Sequence, residues 1–148
     1  MKRTAQAHWT GTLKEGKGTL STESGAVRNV PYAFTNRFEN TPGTNPEELI
    51  AAAHAGCFSM AFSNQLTTAG HAPERIDTTS TITFEKVNDQ WTITESLLTV
   101  TARVPGAAKA VVEEKAEAAK KGCPVSRALN CKVTLHLTVE QAQAAPMR

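Results

Sequence analysis

The stretch Asn45-Pro46-Glu47-Glu48-Leu49-Ile50-Ala51-Ala52-Ala53-His54-Ala55-Gly56-Cys57-Phe58-Ser59-Met60-Ala61-Phe62 decides how this chain folds. Asn45 is a good helix cap, Pro46 suits the first helical position, and Glu48 completes an Asn-x-x-Glu pattern of the capping-box kind. Glu47 and Glu48 stand where the helix dipole favours negative charge. The pattern predicts a helix to about Leu66, with Gly70 as its stop. Its residues are apolar nearly all round, which predicts a helix buried on every face. Small residues (Ala51, Ala52, Ala53, Ala55, Gly56) let other backbones approach closely. In a chain this short, a second copy of itself is one way to cover such a helix.

Upstream the chain reads as β. Residues 4–13 alternate Ala5, Ala7 and Trp9 with Gln6, His8 and Thr10, and glycines punctuate short strands over Lys17–Thr22 and 28–35. A turn-rich loop over 39–44 leads into the helix. Downstream, two strands rich in Thr, Ile and Val over 77–87 and 91–104 predict a hairpin turning at Asn88-Asp89. Residues 107–121 predict a second helix ending at Gly122. Cys123-Pro124 restarts a short helix. Val133, Leu135, Leu137 and Val139 then alternate with Lys132, Thr134, His136 and Thr138 as a last strand, and 141–148 reads as a frayed tail. No repeat or linker divides the sequence, so the expectation is one α+β domain over 1–148.

Charged residues make up 20% of the 148 positions, hydrophobic ones 40%, and the net charge is +2. With no basic run longer than Lys120-Lys121, nucleic acid and membrane surfaces are not expected partners. No stretch has the length and apolarity to span a bilayer. The opening MKRTAQAHWTGT is basic but lacks the apolar core of a secretory signal, which predicts a cytoplasmic protein. Three cysteines, an odd count, fit free or cycling thiols better than a permanent disulfide scaffold.

Chemistry centres on those thiols. Cys57 is either a small buried hydrophobe or a reactive thiol. About three turns into its helix, it is too far in for the dipole to help, so a reactive Cys57 needs a partner from elsewhere. Arg37 is the best candidate, although a solvated arginine is the commoner fate. Glu47 either holds that arginine through a bidentate pair or serves only the helix dipole. His54, three residues before Cys57, is a base or donor, or more simply a hydrogen-bonded core histidine. Cys123, ahead of Pro124, is expected at a helix N-cap, where N–H groups favour a thiolate. Whether it reaches Cys57 depends on geometry. Cys131 opens the last strand and reads as passive. No ligand spacing supports a metal site from His54, Cys57 and Cys123, and no nucleotide-binding or serine-hydrolase motif is present.

Several strings together resemble the OsmC/Ohr family, the osmotically inducible protein C and organic hydroperoxide resistance proteins. They are Arg37-Phe38-Glu39, Gly43-Thr44-Asn45-Pro46-Glu47-Glu48-Leu49-Ile50, Ala52-Ala53-His54-Ala55, Cys57-Phe58-Ser59-Met60-Ala61, Val104-Pro105-Gly106 and Gly122-Cys123-Pro124-Val125-Ser126. Shorter matches over 16–25 and 76–79 extend the resemblance to nearly the whole chain. The arginine of the Arg-Phe-Glu segment points to the OsmC branch. The resemblance implies an intertwined α+β homodimer, two central helices wrapped by mainly antiparallel sheets, with active sites at the subunit interface. It further implies a thiol peroxidase that prefers organic hydroperoxides to hydrogen peroxide. Cys57 matches the peroxidatic cysteine, Cys123 the resolving one, and Arg37 and Glu47 the pair that activates the thiolate. No metal, haem or flavin is implied, and the reductant that the resemblance implies is an external dithiol of lipoyl type. Cys131 has no place on the family pattern. Phe58, Met60 and Phe62, close to Cys57 in sequence, are expected to favour an alkyl or aryl hydroperoxide. The alternatives are a non-catalytic homodimer that binds small apolar ligands and a structural stress protein with inert cysteines.

Overall fold

The computed structural model describes residues 1–141, so the expected frayed tail lies, from 142 on, outside the described residues. The chain forms two compact units that divide after Leu49.

In the first unit, β1 (Ala5–Thr10), β2 (Lys17–Thr22) and β3 (Val30–Tyr32) form an antiparallel sheet in that order. The strand expected over 28–35 is shorter than its pattern. Asn36 explains why: its side-chain oxygen accepts the Ala33 N–H at 2.8 Å, which takes that donor from the ladder and starts a helix instead. The helix is α1 (Phe34–Phe38). The Asn36 amide also donates to the Pro42 carbonyl at 2.9 Å, drawing in the following loop. Gly43 fits there because its φ is +142° and an added Cβ would lie 2.5 Å from that amide nitrogen.

The long helix α2 (Pro46–Thr68) starts as the sequence predicts, with the Asn45 side chain accepting the Glu48 N–H at 2.8 Å. In the second unit, β4 (Arg75–Val87) and β5 (Gln90–Arg103) form the hairpin, with Asn88 and Asp89 at φ 50° and 62° in its turn. α3 (Lys109–Gly122), α4 (Pro124–Ala128) and β6 (Lys132–Glu140) complete the chain. β6 pairs parallel to β5, a crossover that the alternation of β6 does not announce.

One core holds this unit together. Phe58, Phe62 and Leu66 on α2, Leu98, Val100 and Ala102 on β5, and Val112, Ala116 and Ala119 on α3 are buried in one cluster. The alternating apolar residues of β6 pack against it. α2 is therefore buried along one stripe, through His54, Phe58, Phe62 and Leu66, rather than on every face. Ala52, Ala53, Gly56 and Met60 are exposed on the single chain.

Candidate active site

Cys57 and Cys123 meet. Their sulfurs are 2.9 Å apart, longer than the ~2.05 Å of a disulfide, and both thiols are free. The sequence places Cys123 by two constraints. Its N–H donates to the Ala119 carbonyl at 2.8 Å, closing α3, and its carbonyl accepts the Arg127 N–H at 3.0 Å, opening α4. Pro124, at the first position of α4, has no N–H to leave unsatisfied. Cys123 is thus the N-cap, as its sequence context predicts, and it is buried.

Burial pushes the Cys57 thiol up from its ordinary value, and the adjacent Cys123 sulfur pushes the same way. A backbone hydrogen bond from Val125, in the first turn of α4, opposes both. That donor was not foreseen: it comes from the main chain, which carries no residue-specific signal. Cys57 also borders an open cavity of about 430 Å³ with Met60, Asn64, Gln65, Ala118 and Pro124. Met60 is 77% exposed, whereas Phe58 and Phe62 are fully buried. The expectation that those two rings select the substrate is therefore corrected: they face the core, four residues apart on the buried stripe. Cys131 lies next to Glu95 and Ser96, and burial raises its thiol too.

His54 is fully buried, with both ring nitrogens bonded to hydroxyls: Nδ1 to Ser96 at 2.6 Å and Nε2 to Ser126 at 2.7 Å. Ser96 continues to Ser80 at 3.1 Å. Burial holds the imidazole below its ordinary pKa, so it stays neutral. Sequence reasoning named His54 but missed the serines. The signal was present for Ser96, which falls on the inward phase of β5 with Leu98, Val100 and Ala102.

In the first unit, Arg37 Nε and Nη2 donate to the same oxygen of Glu47, Oε1, at 3.1 and 3.0 Å. The pair is real, but it is not the two-oxygen fork expected. Glu47 Oε2 is buried with no hydrogen-bond partner among the described residues. The Arg37 guanidinium lies 5.3 Å from the Phe38 ring centroid and lines a cavity of about 250 Å³ with Trp9, Tyr32, Phe34 and Phe38. Among the described residues, no group of three or more His, Cys, Asp or Glu is placed to hold a metal ion, and no helix has the length and apolarity to cross a membrane.

Two thiols in contact beside an open cavity, on an α+β scaffold, are placed for thiol–disulfide chemistry. The chain belongs to the OsmC-like protein family, whose model matches residues 38–138. It is 50% identical over 130 residues to Peroxiredoxin OsmC of Escherichia coli (strain K12), covering 88% of this chain and 91% of that protein. The fold is shared with several solved structures. An OsmC-like protein of unknown function from Vibrio cholerae matches with a TM-score of 0.74 at 15% identity, over 93% of this chain and 99% of its own. An organic hydroperoxide resistance protein OsmC from Legionella pneumophila matches with a TM-score of 0.69 at 23% identity, over 95% and 98%. The similarity to the curated relative supports a peroxidase, an antioxidant oxidoreductase, as the class of enzyme.

Proposed function

We propose that this protein is a two-cysteine peroxidase that reduces organic hydroperoxides to alcohols and acts as a homodimer of single-domain chains. The observation that carries the reading is the 2.9 Å approach of two free thiols, one of them bordering an open cavity. The Cys57 thiolate attacks the distal oxygen of ROOH; the O–O bond breaks, a proton goes to the leaving alkoxide, and Cys57 becomes a sulfenic acid. The sulfenic acid condenses with the Cys123 thiol to a disulfide and water. An external dithiol then restores both thiols by exchange.

Because Cys57 is raised above its ordinary pKa, its thiolate needs positive charge. Arg37 is proposed to supply it and to stabilise the leaving alkoxide, with Glu47 fixing the guanidinium. The preference for an organic peroxide over hydrogen peroxide rests on the mostly apolar wall of the cavity, Met60, Ala61, Ala118 and Ala119 beside Cys57. Dimerisation is supported by the uncovered apolar face of α2, which includes Met60.

Steady-state assays with cumene hydroperoxide and a dithiol reductant test the roles. Cys57→Ser is expected to abolish turnover. Cys123→Ser should permit one oxidation per thiol and then fail to recycle normally. Full activity in Cys57→Ser would refute the assignment.

A further inference from the structure

We infer that His54 is a positioning residue: through Ser126 it holds α4 against α2 and so keeps Cys123 within resolving distance of Cys57. The inference rests on the peroxidase reading and adds a residue to it.

His54 occupies the buried stripe of α2 that continues as Phe58, Phe62 and Leu66. An apolar residue there would extend the core at no polar cost. A buried imidazole is tolerated only if its nitrogens are partnered. Both are, at 2.6 and 2.7 Å, and the partners lie on two different elements, Ser96 on β5 and Ser126 on α4. The ring is therefore a cross-brace. Its Nδ1 side is anchored to a β5 hydroxyl that also meets Ser80 on β4. Its Nε2 side reaches the element that carries the chemistry.

The register makes the brace specific. His54 precedes Cys57 by three residues on α2, and Ser126 follows Cys123 by three. The His54–Ser126 and Cys57–Cys123 contacts are thus consecutive rungs between the same two segments, one of 2.7 Å and one of 2.9 Å. Besides this brace, α4 is held by its junction with α3 at Cys123 and by Val125, partly buried against the core. It is five residues long and none of them is fully buried, and a helix this short is not stable by itself. Val125, whose backbone bonds Cys57, lies between the two rungs.

The chemical consequence is a partition. After the first oxidation, the Cys57 sulfenic acid either condenses with the Cys123 thiol, releasing water, or reacts with a second ROOH to give a sulfinic acid and ROH. Losing the brace lets α4 wander; it slows the first branch most, and by loosening the Val125 bond to Cys57 it slows the initial oxidation by a smaller factor. A displacement of about 1 Å can cost up to about 100-fold in rate, so roughly a tenfold slowing is expected.

The test compares Ser126→Ala with Ser126→Thr, which keeps the hydroxyl; Ser126 is half-buried, so both should fold. His54→Gln serves as a second probe. Sulfenic acid formation, disulfide formation and the sulfinic fraction are measured by rapid quench and mass spectrometry across a cumene hydroperoxide series, with thermal unfolding alongside. The expected result for Ser126→Ala is disulfide formation slowed roughly tenfold, sulfenic acid formation slowed by clearly less than that, and a sulfinic product at lower peroxide. Ser126→Thr should restore the wild-type partition. A Ser126→Ala protein that loses stability but keeps that partition would show His54 to be a core filler and overturn the inference. A wild-type protein that forms no sulfenic acid would overturn the peroxidase reading first, and this inference with it.

Discussion

Burial and the neighbouring Cys123 sulfur both push the Cys57 thiol up, so the resting residue is mostly protonated at neutral pH and its reactivity should climb with pH. A cation that acts on the thiolate shifts that climb to lower pH; removing the cation shifts it back up. Arg37→Met should therefore move the pH profile of Cys57 oxidation in the alkaline direction. It should also slow the reaction at neutral pH by about 100- to 1,000-fold, the usual cost of one such donor. Part of the rate should return at high pH. An unchanged profile would remove Arg37 from the chemistry. The residue types that carry this site were legible from sequence because each is unusual in its place: a thiol inside an apolar helix, a cysteine ahead of a proline, a carboxylate in a first helical turn. The distance between the two sulfurs was not legible. It depends on how α3 ends and α4 begins, which the Cys123 backbone bonds to Ala119 and Arg127 decide.

At the scale of elements, local chemistry and observed structure agree where the signal is self-contained. The Asn45 cap, the extent of α2 and the β4–β5 hairpin follow from neighbouring residues alone. The hairpin turn carries a cost, since Asn88 and Asp89 both adopt positive φ. Asp89→Gly relieves the second of these. It should raise stability by up to about 1 kcal/mol, read as a higher unfolding midpoint with unchanged peroxidase activity. A lower midpoint would mean that the Asp89 side chain supports the turn. Two features escaped the sequence. α1 replaces the end of an expected strand because one side chain, Asn36, captures the Ala33 N–H. The parallel β5–β6 pairing escaped because the alternation of β6 states which face is buried and not which neighbour it joins. The same limit applies to Phe58 and Phe62: closeness to Cys57 in sequence did not mean facing the same way.

For the molecule as a whole, α2 presents two faces of similar apolarity, and the single chain covers only the one that includes Phe58, Phe62 and Leu66. Gly56 lies on the other face, and a Cβ there would meet nothing within 4 Å. Gly56→Leu should therefore fold, since leucine is the better helix former by just under about 1 kcal/mol. In the proposed homodimer the same side chain fills space needed by the partner, so the variant should sediment as a monomer. A Gly56→Leu protein that remains dimeric would place the subunit interface elsewhere. The approach of the two sulfurs can be tested by trapping the bond it permits. Reduced protein receives one equivalent of cumene hydroperoxide, and its disulfides are mapped by peptide mass spectrometry. A Cys57–Cys123 link is expected, forming faster than with hydrogen peroxide and leaving Cys131 as a free thiol. Three unmodified thiols, or a disulfide that draws in Cys131 instead, would contradict the assignment of these two cysteines.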